Sequence, residues 1–437
     1  MPFSSYLPMN NHFVANSMLS LDGLLEESRE GFQVSPIGLA GMPSWHICDG
    51  ALSHVSGGFF SVVGVRFEPS ESGPGSDALY LYQPQSAFNG LLTCEIEGQQ
   101  HFLLQARAEP GNVGQAQFGP TVQSTPANYL RLHGGATTPY FEWFSTFRPD
   151  VQVLHDSVQL DLGGRYLFKS KRVIVARCPA DIPVQEGFAW VPAGLVNAAV
   201  GRSTFLNTDL RALFGLCVWD AAPGYLAPVA SLVRESLHLP VRAEALAGVV
   251  QALQGGAAVD YRLQGIAKMP GWRVADDGIF EVDGQQGFDL RYFQVEACRR
   301  EVARWQQPLL QSRTEGCVRL LCRVADGALE VCVRVGAEPG LQTGKALLPS
   351  HVRYPGVAGP DTAVPGRLLL RTQESDEGGR FFQDVSAYEL ILLDPQAKAE
   401  GLWMRVSELR WFLSCSNFCA IQLRVLGSLL LGDLDFE

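Results

Sequence analysis

Charged residues are scarce in this chain, and positive charge is scarcer than negative. Asp, Glu, Lys and Arg make up 18% of its 437 residues, with 34 Lys and Arg against 45 Asp and Glu, for a net charge of −11. No run of Lys or Arg and no basic stripe offsets that deficit, which argues against a nucleic-acid-binding surface. An anionic ligand must then be held by a few local arginines rather than by the overall field. Long apolar runs are missing too: none approaches the roughly 20 residues that a membrane-spanning helix needs. Residues 1–11 lack the basic segment and apolar core of a signal peptide, so we expect a soluble, cytoplasmic protein. Cys-x-x-Cys is absent. The ten cysteines are scattered, and Cys317/Cys322 and Cys415/Cys419 have no histidines at zinc-finger spacing. We expect buried free thiols and no metal site.

What the chain has in quantity is apolar residues (46%), glycine (45) and proline (26), the composition of a globular protein rich in strands and turns. It also repeats itself. Met42-Pro43-Ser44-Trp45 is answered by Met269-Pro270-Gly271-Trp272, and Ala108-Glu109-Pro110-Gly111-Asn112 by Ala337-Glu338-Pro339-Gly340-Leu341. Leu162-Gly163-Gly164-Arg165-Tyr166 is answered by Glu377-Gly378-Gly379-Arg380-Phe381. The pairs keep their order at separations of 227, 229 and 215 residues, as a tandem duplication with small insertions and deletions would leave them. The chain divides accordingly into a first copy (1–220), a helical linker (221–258) and a second copy (259–437).

Local patterning gives each copy the same plan. Residues 15–28 have helical periodicity, 58–67 read as a strand, and 90–96 with 98–108 read as a hairpin turning at Glu97-Gly98-Gln99. That hairpin runs into Glu109-Pro110-Gly111, where proline ends the ladder and glycine permits a positive φ. Residues 122–147 read as a functional loop with short helices, 166–177 as a strand, and 195–216 as a closing helix broken or capped near Asn207. Linker helices are expected over 226–237 and 243–253. In the second copy a strand at 288–295 and a hairpin 318–323/329–335 lead to Glu338-Pro339-Gly340, and 402–431 closes it. The fold class is α+β, each copy a mixed sheet flanked by helices.

These motifs carry a resemblance. Gly57-Gly58-Phe59-Phe60, Tyr82-Gln83-Pro84, the stretch 103–112, Gly119-Pro120-Thr121-Val122-Gln123 continuing to Tyr129, His133-Gly134-Gly135 and Lys169 to Arg172 occur in the order found in the NDP-hexose 2,3-dehydratase family. The second copy carries its own versions in Trp305-Gln306-Gln307-Pro308, Glu338-Pro339-Gly340 and the run Glu374 to Phe381. The resemblance implies a duplicated Nudix-like fold without the acidic metal-binding box of true Nudix hydrolases. It also implies a homodimer and a reaction that needs no metal, nicotinamide or other cofactor. The implied substrate is a nucleotide-linked 4-keto-6-deoxyhexose, with thymidine diphosphate as the carrier. The C4 ketone acidifies the C3 proton, a base forms the enolate, and the C2 hydroxyl leaves. The 3,4-diketo product then passes to a 3-ketoreductase.

Such a site needs a base, an acid, donors for the enolate oxygen and cations for the diphosphate. The first copy offers His133, which titrates near neutrality, Tyr129 to protonate the leaving hydroxyl, and Glu142 as a further acid–base group. Arg107, Arg131 and Arg165 are candidates for the diphosphate, where a guanidinium fork suits paired oxygens. Glu109 recurs with its Pro-Gly in both copies, which suits a buried carboxylate satisfying turn amides. As further substrate contacts the resemblance implies Gln83, Asn112, Thr121, Gln123, Asn128, Lys169, Arg172, Trp305, Glu374, Glu377 and Arg380. The copies have lost complementary parts: Leu160-Asp161-Leu162 replaces the acidic motif in the first, and Leu348-Pro349-Ser350-His351-Val352 replaces Pro-Thr-Val-Gln in the second. We expect one active site in the first copy, with the second structural or nucleotide-binding. The alternative is a divergent, non-catalytic sugar-nucleotide-binding protein.

Overall fold

The computed structural model describes residues 13–68, 75–132, 136–146, 148–217, 229–255, 260–298, 302–359 and 363–431. The two expected hairpins are present. Gln99–Ala108 folds back on Ala87–Ile96 through Glu97 and Gly98 (φ 52° and 74°), and Ala328–Ala337 on Gly316–Ala325 through Asp326 and Gly327 (φ 50° and 80°). Two left-handed residues give the strand twist a two-residue hairpin requires. Each hairpin is the middle of a seven-stranded mixed sheet. In the first half, Ser170–Arg177 lies parallel to Ala87–Ile96, Gln152–Leu160 forms the edge, and Phe188–Pro192 and Ala116–Gly119 flank the other side. The second half repeats this with Val385–Leu393 parallel to Gly316–Ala325, Gly366–Ser375 at the edge, and Lys345–Pro349 with Leu402–Arg405 on the far side. The architecture is α+β with mixed sheets, as expected.

Two smaller sheets join the halves by reciprocal exchange. Gln33–Pro36, which opens the first half, pairs with Phe288–Glu296 of the second; Tyr261–Gln264, which opens the second, pairs with Ser61–Phe67 of the first. The Glu-Pro-Gly turns lock this arrangement. Gly111 N donates to Gly378 O and Gly340 N to Gly163 O, both at 2.8 Å. A Cβ on Gly111 would collide with the Phe381 carbonyl, and one on Gly340 with the Tyr166 carbonyl. Neither glycine has a positive φ. The turn needs glycine for room against the other half's backbone, not for the left-handed conformation expected.

The helix expected over 15–28 is Met18–Arg29, and the linker supplies Ala230–His238 and Ala243–Gln254. The first half closes with Ala193–Val200 and Thr208–Phe214, interrupted where expected because the Asn207 side chain caps the second helix by accepting from Leu210 N. Thr208–Phe214 packs on Ile421–Leu431, every residue of which is buried. Leu409, Leu413, Leu423, Leu426, Leu429 and Leu430 are therefore core of a single chain. Seven of the ten cysteines are buried, all are free, and Cys48 and Cys298 are exposed. No helix among the described residues is long and apolar enough to cross a membrane.

Candidate functional site

The halves meet around a cavity of about 410 Å³. Its walls are aromatic: Trp45, His54, Phe59 and Phe60 from the first half face Trp305 from the second. The Trp45 indole nitrogen donates to Gln306 O (2.8 Å), tying one wall to the other. Ser56 N donates to His54 Nδ1 (3.2 Å), which leaves Nε2 as the protonated nitrogen of the neutral ring. Burial, and then neighbouring His46, lower the His54 pKa and favour that neutral form. Asn89, Gln123 and Asn128 line one side, and Arg304, largely exposed, stands at the mouth.

The floor is ionic and comes from both halves: Arg107, Glu109, Lys171 and Asp209 from the first, Glu377 and Arg380 from the second. Arg107 Nε donates to Glu109 Oε1 (2.8 Å). Lys171 meets Asp209 (2.7 Å), Asp161 (3.2 Å) and Glu377 (3.5 Å). Behind it, Lys169 reaches Glu377 (3.1 Å) and Asp161 (3.4 Å), and the Tyr166 hydroxyl donates to Glu377 (3.1 Å). Burial opposes charging of Glu377, but Lys169, Lys171 and Arg380 outweigh it and hold the carboxyl well below its usual value. Asp161 is lowered too: burial opposes its charge, and Lys171 and Lys169 overcome it. Burial pushes Asp209 upward against the pull of Lys171. For Lys171 itself, three carboxylates override burial and raise the pKa, so it stays an ammonium. Arg380 is fixed by the Gln83 side chain (3.1 Å), by Gly379 O (2.7 Å) and by the Phe60 ring, 4.2 Å away.

Of the residues singled out in the sequence, this cavity gathers Arg107, Glu109, Gln123, Asn128, Trp305, Glu377 and Arg380, with Gln83 and Lys169 directly behind them. Glu109 binds Arg107 and faces the cavity instead of satisfying turn amides. His133 lies outside the described residues. Tyr129 is not on the cavity: its ring stacks on Phe141 (4.5 Å, 10°) because both belong to an apolar cluster. Glu142 is exposed at the start of the short helix Glu142–Ser145, whose Trp143 and Phe144 pack on the same cluster, and Arg131 is exposed as well. Arg172 points out of its strand to Asp156 (2.7 Å). Thr121 is structural, accepting from Leu92 N and donating to Leu103 O; Ser350 does the same for Leu321 and Cys332 in the second half. Glu374 is buried on Arg211 (2.8 Å). Asn112 is buried against Gly378, away from the cavity.

Arg165 occupies the counterpart of the Arg380 position, and that counterpart is filled. Its guanidinium donates to Pro355 O (2.6 Å) and lies over the Phe288 and Tyr354 rings. Tyr354 donates to Glu338 (2.7 Å), the equivalent of Glu109. The expectation of a site within the first copy is thus replaced by one cavity built from both halves.

Lys171 and Asp209 were missed. Period-two alternation along Ser170–Arg177 turns Lys171 inward and Arg172 outward, a signal the sequence did contain. Asp209 follows a helix cap, and nothing local marks it as different from an ordinary first-turn acid.

Comparison with known proteins agrees with this duplicated plan. The NDP-hexose 2,3-dehydratase family profile matches residues 24–216 and 243–356, one block per half. The chain is similar to proteins named dTDP-4-dehydro-6-deoxy-α-D-glucopyranose 2,3-dehydratase. That of Streptomyces violaceoruber is 29% identical, over 90% of this chain and 92% of the relative. That of Saccharopolyspora spinosa is 30% identical over 86% and 82%, and that of Amycolatopsis orientalis 28% over 90% and 88%. This chain belongs to the NDP-hexose 2,3-dehydratase family.

Proposed function

We propose that the protein is a hydro-lyase that removes water across C2–C3 of a thymidine-diphosphate-linked 4-keto-6-deoxyhexose, giving the 3,4-diketo-2,6-dideoxy sugar nucleotide. The observation that carries this reading is the cavity itself: aromatic walls over a floor of carboxylates and fixed cations, in a member of this family. Glu109, oriented by Arg107, is the base that takes the C3 proton. Arg380 and Arg304 hold the diphosphate, and the Trp45, Phe60 and Trp305 surfaces take the base and sugar faces.

We read each half as a Nudix-like unit and the protein as cytoplasmic, where sugar nucleotides are made. We read it also as a homodimer whose interface lies elsewhere than the buried closing helices. The diketone is consumed by a 3-ketoreductase. The test is mass spectrometry of thymidine-diphosphate-4-keto-6-deoxyglucose incubated with the purified protein, the product trapped at once with a 3-ketoreductase and its nicotinamide. Protein-dependent loss of one water is the expected result. An unchanged substrate that still raises the melting temperature would instead indicate a binding protein.

A further inference from the structure

We propose that Lys171 is a catalytic residue of this dehydration, its ammonium binding the C4 oxygen of the substrate as enolate charge develops there; this rests on the functional reading above. Three observations support it. Lys171 lines the cavity although its side chain is only 3% exposed, and two of its carboxylate partners, Asp209 and Glu377, line it as well, so its charge is held at the cavity floor in a dry setting. Of its three donors only the one to Asp209 (2.7 Å) is in a short bond; Asp161 and Glu377 stand at 3.2 and 3.5 Å. A preorganised charged donor in such a place acts on developing charge without reorganising.

The third observation comes from the duplicate. Lys171 pairs with Ala87 in the parallel register of the first sheet, and Ser386 pairs with Gly316 in the matching register of the second. Asp209 lies three residues after the bridge between Phe118 and Leu206, and Gln422 three after the bridge between Leu347 and Cys419. The filled counterpart therefore carries Ser386 and Gln422 where the open site carries Lys171 and Asp209. This fold closes without the lysine and its aspartate, so the fold does not account for their presence.

The step balances as follows. Glu109 takes the C3 proton, the C–H pair becomes the C3=C4 bond, and the carbonyl pair moves onto O4, where Lys171 donates. Return of that pair restores the ketone, forms C2=C3 and expels the C2 hydroxyl, which leaves as water with the proton that Glu109 took. The 3-hydroxy enone then shifts its hydroxyl proton to C2. Asp161, Asp209 and Glu377 keep the ammonium charged, so Lys171 supplies charge and a hydrogen bond, not a proton.

The test measures two rates on the full chain: water loss, and exchange of the C3 hydrogen in deuterated water. Lys171→Met should lower both by about 100-fold or more, the usual effect of removing one such donor, while thymidine diphosphate binding persists. The double variant K171S/D209Q, which copies the residues of the filled counterpart and leaves Asp161 and Glu377 paired with Lys169, should behave alike. C3 exchange surviving while water loss disappears would place Lys171 on the leaving hydroxyl and overturn the proposal. Rates within threefold of the parent, or failure of both variants to show a native melting transition, would overturn it too. A parent protein that neither loses water nor exchanges C3 would instead refute the functional reading.

Discussion

The open cavity and its filled counterpart are the same construction carried to two ends. In both, a Glu-Pro-Gly turn from one half receives a Gly-Gly-Arg turn from the other through matching 2.8 Å hydrogen bonds. In the open site Glu109 is held by Arg107, and Arg380 by Gln83 and Phe60, so both charges face the space between Trp45 and Trp305. In the other, Gly336 stands where Arg107 would, Tyr354 caps Glu338, and Arg165 is turned onto the Pro355 carbonyl. Tyr354, together with the turned Arg165, thus occupies the space that stays open as a cavity on the other side. What the pair teaches is that the scaffold uses the turn-to-turn contact in both places, whereas the buried lysine–carboxylate cluster occurs in only one and is not required for the fold to close.

The comparison is broken most severely at the two glutamates. Glu109→Gln should reduce turnover by 10²- to 10⁴-fold, roughly the share of a general base, with the melting temperature nearly unchanged. Glu338→Gln should leave turnover within about twofold. Equal losses in the two variants would mean that the filled counterpart takes part in the chemistry. Tyr354→Ala comes next: a fully buried large ring is worth about 3–5 kcal/mol, and truncating the partly buried Tyr354 should cost less than that, read as a lowered denaturation midpoint, while opening a second cavity without adding activity. Arg380→Ala should raise KM for the sugar nucleotide about tenfold, as loss of one charge-assisted contact would. Arg165→Ala should lower stability and leave KM alone. Smallest is Arg172→Ala: its exposed pair with Asp156 is worth about 0–1 kcal/mol, so neither turnover nor melting should move appreciably.

Acidity sharpens the contrast. Around the filled counterpart, burial raises Asp376 to about 8, with Asp384 adding repulsion, and burial raises Glu338 to about 7. A carboxyl whose folded pKa lies above its unfolded value of about 4 binds more protons when folded, so it costs stability as pH rises from about 4 through its folded value. Glu377 and Asp161 in the open site are depressed and act oppositely: their contribution is present above about 4 and is lost as pH falls through their folded values. Melting temperatures should therefore decline between pH 5 and about 8, and Asp376→Asn should flatten the decline. An unchanged slope in that variant would remove Asp376 as its source.

Much of the scaffold was legible. Both hairpins, the helix at Met18–Arg29, the break at Asn207 and the linker helices follow from turn residues, capping and periodicity, which act over a few residues. The cavity was legible where a motif places a side chain on the turn that meets the other half, as with Glu109, Glu377 and Arg380, and where a motif tryptophan, Trp305, lies on a strand at its wall. It was misread where facing decides. Arg172 and Lys171 are neighbours of equal charge, separated only by strand alternation. Tyr129 and Glu142 sit among polar and aromatic residues without a clean period, where nothing local says that Tyr129 stacks on Phe141.

By itself the sequence determined that the chain is duplicated, that each copy is α+β, and which family it joins, because repeats, periodicity and ordered motifs are properties of the order of residues along the chain and need no knowledge of which ones meet in space. Only the tertiary structure decided that the copies exchange their first strands, that Gly111 and Gly340 yield room to backbone of the other half, and that Lys169, Lys171, Asp161, Asp209 and Glu377 share one buried cluster. Two equivalent turns with nearly equal local sequence became an open site and a plugged one. The difference is made by the side chains brought against each turn, Tyr354 on one side and Arg107 with Lys171 on the other, whose meeting is dictated by packing and by the cost of burying a charge without a partner.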